Sequence, residues 1–127
     1  MPYRHETCFL ILAPFFGLLA VIMGALGVHA QIETEGLSSW NLAVFYQLCH
    51  AVLLLFIGFM HRQNDFSIWL TIAGYLFAVG LVLFCGGIYL SQLEAEIWIG
   101  KVTPIGGASI IAGWLCLLIS MVRGLWT

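Results

Sequence analysis

The sequence predicts an all-α fold: a polytopic membrane protein built as an antiparallel four-helix transmembrane bundle. Hydrophobic residues make up 62% of the 127 residues, and charged residues only 8%. The four Lys and Arg and the six Asp and Glu residues all lie outside four long apolar blocks, which are 7–32, 36–61, 66–93 and 102–122. A helix needs about 20 residues to cross a hydrocarbon core roughly 30 Å thick. Each block can therefore form one crossing, and residues 1–127 form a single four-helix domain.

Local signals set the expected helix boundaries. The blocks predict helices at about 8–30, 40–61, 66–92 and 104–126. Residue types that cap helix N-termini stand before three of them: Ser38 and Ser39, Asp65 or Ser67, and Thr103 followed by Pro104. The short connections between blocks favour antiparallel neighbours.

The first helix carries small residues on one face when it is unrolled at about 100° per residue. This stripe consists of Ala13, Gly17, Ala20, Gly24 and Gly27. Small residues let membrane helices approach closely, where the hydrophobic effect cannot drive their association. We therefore expect a neighbouring helix to pack on this face.

The second helix has two different faces. Its expected inner face holds Ala43, Gln47, His50, Leu54, Gly58 and His61, and its lipid face holds Phe45, Val52, Phe56 and Phe59. Gln47 and His50 are therefore directed into the bundle, with His50 about 15 Å deep. An ionisable group at that depth is a candidate functional residue. The alternative is a neutral histidine that serves only as a hydrogen bond between helices.

The third helix carries two small-residue stripes and the fourth helix carries one, so we expect the third helix to pack on two sides. The stripes are Thr71, Gly74, Ala78, Cys85, Tyr89 and Gln92; Ala73, Gly80, Gly87 and Ser91; and Gly106, Ser109, Gly113, Cys116, Ser120 and Gly124. Across the chain, the expected helix-packing glycines are Gly17, Gly24, Gly27, Gly74, Gly80, Gly87, Gly106 and Gly113.

Basic residues predict the orientation. Arg4, Arg62 and Arg123 lie on one side of the four crossings, and Lys101 lies on the other. The positive-inside rule then places both termini in the cytoplasm, in a multi-pass protein of the bacterial inner membrane.

Four ordered motifs resemble the YgdD-like family of small inner-membrane proteins. They are Gly24-Ala-Leu-Gly-Val-His-Ala30, Tyr46-Gln-Leu-Cys-His-Ala51, Phe84-Cys-Gly-Gly-Ile-Tyr89, and Thr103-Pro-Ile-Gly-Gly107 with Gly113-Trp114. The resemblance covers nearly the whole chain and implies four transmembrane helices with no established activity. One departure is Cys85-Gly86-Gly87, where the family pattern is Ser-Gly-Ser, and the loss of hydroxyl groups weakens a polar role there.

With this topology, the four motifs all fall in the outer half of the membrane. They predict a candidate binding pocket or partner surface formed by His29, Gln47, His50, Tyr89, Lys101 and Thr103. His29 lies nearly opposite the glycine stripe of its helix, which counts against its membership.

The sequence favours a non-catalytic accessory protein, or one that binds a lipid or small molecule. The expected partners are membrane lipids and either another membrane protein or a second copy of this chain. The net charge of −2, without a run of basic residues, gives no reason to expect binding to nucleic acid. One alternative is transport of a small solute or protons through His50 and Gln47, although we place no acidic residue within a span. Another is a haem-b carrier, which the different depths of His29 and His50 disfavour. No catalytic, metal-binding or cofactor motif is expected.

Overall fold

The computed structural model describes residues 4–29, 34–63, 67–92 and 102–126, and it shows four antiparallel helices. They are α1 (Arg4–His29), α2 (Thr34–Gln63), α3 (Ile68–Gln92) and α4 (Val102–Trp126). All four are long and apolar enough to cross a membrane. The predicted all-α, four-helix transmembrane fold is confirmed.

Two predicted caps are wrong because their helices begin earlier. α2 begins at Thr34, so Ser38 and Ser39 lie inside the helix. α4 begins at Val102, which places Thr103 in its first turn. The charge pattern marks the limits of the apolar core, whereas a helix can continue into the interfacial region beyond them.

At α3, the expected cap is present. The Ser67 hydroxyl accepts a hydrogen bond from the backbone N–H of Leu70 at 3.4 Å, so it caps the first turn. The same hydroxyl lies 3.3 Å from that of Ser120 on α4. Asp65, the other candidate, lies outside the described residues.

Helices that follow one another in the chain pack side by side. Backbone packing runs from α1 to α2, from α2 to α3 and from α3 to α4, and α1 also reaches α3 through a small contact. We call the end with the α1–α2 and α3–α4 connections the loop end, and the other the terminal end. α1 meets α3 at the terminal end, where the Phe9 ring packs against Gly74. The α2–α3 pair is thus central, and α3 packs on two sides.

Close helix contacts are made at six of the eight glycines singled out above. A Cβ would overlap atoms of a neighbouring helix at Gly27, Gly74, Gly80, Gly87, Gly106 and Gly113. The tightest backbone approach is at Gly106, where the added carbon would meet the backbone of Phe84 on α3. A stripe of small residues thus allows α3 and α4 to pack backbone to backbone.

The other two glycines, both on α1, lie in looser surroundings. A Cβ at Gly24 would make an ordinary contact with Val44 at 3.5 Å, and one at Gly17 would meet no atom within 4 Å. The expected packing role of Gly17 is therefore wrong. The buried face of α1 runs through Phe9, Ala13, Phe16 and Ala20, so Gly17 lies at its edge.

The outward faces of the helices are apolar. On α2, the four side chains expected to face lipid are all exposed: Phe45, Val52, Phe56 and Phe59. Similar rows of Ile, Leu and Val cover α1 and α4. Because hydrocarbon offers no hydrogen bonds, polar side chains within the spans need partners inside the bundle.

Candidate functional site

Gln47 connects three helices near the middle of the bundle. Its side chain is directed inward from α2, and the residue is only 4% exposed. Its Nε2 donates a hydrogen bond to the carbonyl oxygen of Phe16 on α1 at 2.9 Å, and its Oε1 accepts one from the Tyr89 hydroxyl on α3 at 2.8 Å. Buried polar groups avoid a desolvation cost only when they are paired in this way.

Aromatic and thiol groups extend this cluster toward the loop end. The indole N–H of Trp40 donates to the carbonyl oxygen of Met23 at 2.6 Å, and its ring centroid lies 4.7 Å from that of Tyr89. The Cys85 thiol donates to the carbonyl oxygen of Ala43 at 3.3 Å. These contacts fill the seam between α1, α2 and α3 with side chains from all three helices.

His50 makes its contacts in a different direction. Its Nδ1 lies 2.7 Å from the carbonyl oxygen of Tyr46, and its Nε2 lies 3.2 Å from the indole nitrogen of Trp114 on α4. A carbonyl only accepts and an indole N–H only donates. The proton of the ring is therefore on Nδ1, and Nε2 presents a lone pair. This arrangement fits a neutral imidazole with both nitrogens hydrogen-bonded.

Aromatic rings surround this imidazole. Tyr46 stacks with it at 5.9 Å and 25°, Phe77 approaches to 5.5 Å, and Trp114 meets it edge-on at 5.9 Å. Phe84 packs against Tyr46 at 5.2 Å. We call this packed cluster of five side chains, which Trp114 covers on the outward side, the α2–α4 groove. His50 is 4% exposed, whereas Trp114, which covers it, is 49% exposed.

The position of Trp114 is unusual for a membrane protein. It lies near the middle of the span Val102–Gly124. Tryptophan is normally enriched at the membrane–water interface, where its N–H can meet water. At mid-membrane depth the N–H needs an acceptor in the protein, and His50 provides it.

Among the five predicted pocket residues that the structure describes, it brings together one pair, Gln47 and Tyr89. His50 comes from the same face of α2, but it is directed toward α4. Three residues turn a helix by about 300°, so the two side chains leave α2 some 60° apart and meet different neighbours.

The remaining predicted pocket residues do not join this pair. The Thr103 hydroxyl lies against Gly87 in the α3–α4 seam. His29 is exposed at the end of α1. Lys101 lies outside the described residues. A single pocket formed by all six residues is therefore not what the described chain shows.

Sequence reasoning missed the aromatic partners of these polar groups. Trp40 is seven residues before Gln47 and so shares its helix face, which was a usable signal. Trp114 was also a usable signal, because a tryptophan in mid-span indicates a buried hydrogen-bond acceptor nearby.

A second polar cluster lies at the terminal end. Glu6, in the first turn of α1, is 8% exposed, and its carboxylate lies 4.0 Å from the guanidinium of Arg62 on α2. The His5 ring lies 2.8 Å from the Tyr75 hydroxyl of α3, and that of His61 lies 3.2 Å from the Thr71 hydroxyl. We expected no acidic residue within a span, but Glu6 lies inside the span His5–His29, because α1 already begins at Arg4. A carboxylate there also suits the positive end of the helix dipole.

Comparison with known proteins adds family relationships. A family model described as "Protein of unknown function (DUF423)" matches residues 23–107, which include all of α2 and α3 and the adjoining ends of α1 and α4. A UPF0382 membrane protein of Staphylococcus haemolyticus is 37% identical over 91% of this chain and 95% of its own length. The UPF0382 membrane protein YwdK of Bacillus subtilis is 32% identical over 91% and 96%, and the UPF0382 inner membrane protein YgdD of Escherichia coli K12 is 34% identical over 90% and 88%. No solved structure matches.

Proposed function

The chain belongs to the DUF423 family of unknown function, as its YgdD-like motifs predicted, and we propose that it is a non-catalytic membrane protein that binds a lipid or another apolar molecule. The binding site in this proposal is the α2–α4 groove, at the middle of the membrane. This replaces the six-residue pocket expected from the sequence.

One observation carries the proposal: a half-exposed tryptophan covers a buried histidine at mid-membrane depth. Trp114 contributes apolar ring surface toward the lipid, and His50 contributes one hydrogen-bonding nitrogen behind it. Sites for small molecules typically combine mostly apolar walls with a few placed polar groups. The groove has this composition, and its outward side, the Trp114 ring, faces the hydrocarbon.

Proton transport fits these contacts less well. Within the described spans, the hydrogen bonds of Gln47 lead to Phe16 and Tyr89, and those of His50 lead to Tyr46 and Trp114. An indole N–H can donate but cannot accept a proton, so a relay from His50 ends at Trp114.

Haem binding also fits less well. A bis-histidine site needs two imidazole nitrogens that are free to bind iron at similar depth. His50 lies near the middle of the span Ser38–Gln63, whereas His29 is exposed at the last residue of α1, so the two rings lie at different depths.

The proposed location is the inner membrane, with both termini in the cytoplasm. Arg62 and Arg123 lie near the terminal ends of α2 and α4, and α1 begins with Arg4. Basic residues on one side of short membrane segments favour the cytoplasmic face.

Native mass spectrometry of the protein in mild detergent tests the proposed binding. We expect a bound lipid or other apolar molecule on the unchanged protein, and its loss from Trp114→Ala. Leu115→Ala is the matched control, because Leu115 is the next residue on α4 and is also exposed. No bound molecule, or equal retention by the two variants, would show that the groove is not the site. Proton flux into proteoliposomes that is lost in His50→Ala would instead support transport.

A further inference from the structure

We infer that the ligand of the α2–α4 groove is a lipophilic phenol, whose hydroxyl donates to Nε2 of His50 in place of the indole N–H of Trp114. This inference rests on the proposed function and adds the chemical class of the bound molecule. The polarity of His50, the aromatic rings around it and the position of the groove on the lipid-facing side each support it.

The tautomer of His50 sets the polarity of the site. Its Nδ1–H is held by the carbonyl oxygen of Tyr46 at 2.7 Å, on the same helix. That carbonyl is part of the α2 backbone and cannot turn away without disturbing the helix. Nε2 is therefore an acceptor. A hydroxyl group can pair with it, whereas a ketone or ester oxygen would place two lone pairs against each other.

The present donor can be replaced. The distance of 3.2 Å from the Trp114 nitrogen to Nε2 is at the long end of ordinary hydrogen bonds. Rotation of the Trp114 side chain toward the lipid would release Nε2, and a ligand hydroxyl would restore the lost bond. A buried acceptor without any donor is costly, so the exchange strongly favours ligands that carry one.

The aromatic lining of the groove favours a flat ring. Tyr46 lies nearly parallel to the His50 ring, and Phe77 and Phe84 continue the aromatic wall that remains when Trp114 turns toward the lipid. Aromatic groups gain from offset stacking and edge-to-face contact with such a wall, which a saturated acyl chain does not offer. An aromatic hydroxyl satisfies both the wall and the acceptor.

The location of the groove requires a lipophilic molecule. His50 lies near the middle of the span Ser38–Gln63, so it is about 18–20 Å from either end of that span. Ile111 and Leu118, one turn before and after Trp114, are also exposed. Trp114 is thus surrounded by lipid-facing side chains, and a ligand that displaces its ring enters sideways from the bilayer with its alkyl tail remaining in the hydrocarbon.

The test compares para-decylphenol with its methyl ether, para-decylanisole, as probes of the full-length protein in lipid nanodiscs. The two differ in the one hydrogen-bond donor. We expect the phenol to bind about tenfold more tightly than the ether, which corresponds to roughly 1.4 kcal/mol. In His50→Phe this preference should disappear, with equal binding of both probes. In Gln47→Met, whose altered side chain faces α1 and α3, the preference should remain.

Trp114→Phe gives an independent readout that does not depend on how well His50→Phe folds. It keeps a ring over the groove but removes the competing N–H. We expect the phenol to bind several-fold more tightly than to the unchanged protein, with the ether nearly unaffected. Unchanged phenol affinity in this variant would contradict the exchange of donors.

The outcomes separate this inference from the proposed function. Equal binding of phenol and ether, lost in Trp114→Ala, would overturn the inference and leave an apolar site in the groove. Binding of neither probe, together with no molecule retained during purification, would overturn both.

Discussion

Removing the Gln47–Tyr89 hydrogen bond tests whether buried polar groups hold the helices together. Gln47→Leu removes two interhelical bonds, the one to the Phe16 carbonyl and the one from the Tyr89 hydroxyl. Hydrogen bonds between membrane helices average about 0.6 kcal/mol and reach about 1.7 kcal/mol. Two such bonds, plus a Tyr89 hydroxyl left unpaired, predict a loss of about 2–3 kcal/mol in the free energy of unfolding. Tyr89→Phe breaks one bond and should cost about 1 kcal/mol.

A double-mutant cycle isolates the bond itself. Once Gln47→Leu has removed the acceptor, Tyr89→Phe removes only an unpaired hydroxyl and should cost nothing more, so the coupling energy should be at least about 1 kcal/mol. The assay is reversible unfolding in mixed micelles of dodecyl maltoside and sodium dodecyl sulfate, followed by circular dichroism. Tyr89→Phe combined with Ser109→Ala is the control, because Ser109 bonds to the Leu76 carbonyl in another seam. A Gln47–Tyr89 coupling within about 0.3 kcal/mol of zero would refute the reasoning.

Three further predictions concern packing and topology. Gly106→Ala should destabilise the protein by about 1–3 kcal/mol in micelle unfolding, because the new Cβ meets the Phe84 backbone. Gly107→Ala, the control, should be tolerated, since its Cβ meets only the Phe84 ring, at 3.7 Å. Equal effects of the two substitutions would contradict the close approach of α3 and α4. Trp40→Phe should cost about 1 kcal/mol, because the Met23 carbonyl loses its indole donor, and an unchanged stability would show that this bond contributes nothing. A fluorescent protein fused to the C-terminus should be active and an alkaline phosphatase fusion inactive; the reverse would contradict a cytoplasmic C-terminus.

The fold was predictable because charge is expensive in hydrocarbon. Four charge-free blocks of sufficient length leave few alternatives to four membrane helices. The inner face of α2 was also predictable, since the polar residues Gln47 and His50 alternate at helical spacing with phenylalanines such as Phe45 and Phe56. Helix ends were less accessible, because the charge pattern reports where hydrocarbon ends and not where helical hydrogen bonding ends. Thr34 illustrates this, as α2 begins there, before its apolar span.

The composition of the site was not predictable, because it depends on how the helices are placed around α2. Unrolling α2 puts Gln47 and His50 on one face but cannot show that the first meets α1 and α3 while the second reaches α4.

The same limit applies to the glycines of the small-residue stripes. Gly106 and Gly17 look equivalent as members of small-residue stripes, yet one touches a neighbouring backbone and the other faces open space. On α1, large side chains such as Phe16 fill the contact with the neighbouring helices, so the small residue beside them, Gly17, does not touch a neighbouring helix.

The protonation pattern of the His50 ring tests the central claim most directly, because both the neutral site and its preference for a donor follow from it. The measurement is a long-range proton–nitrogen correlation spectrum of the imidazole rings, recorded on nitrogen-15-labelled protein at neutral pH and assigned with His50→Phe. The contacts to the Tyr46 carbonyl and the Trp114 indole predict a proton on Nδ1 and a bare, hydrogen-bonded Nε2. A ring protonated at Nε2, or at both nitrogens, would contradict the account.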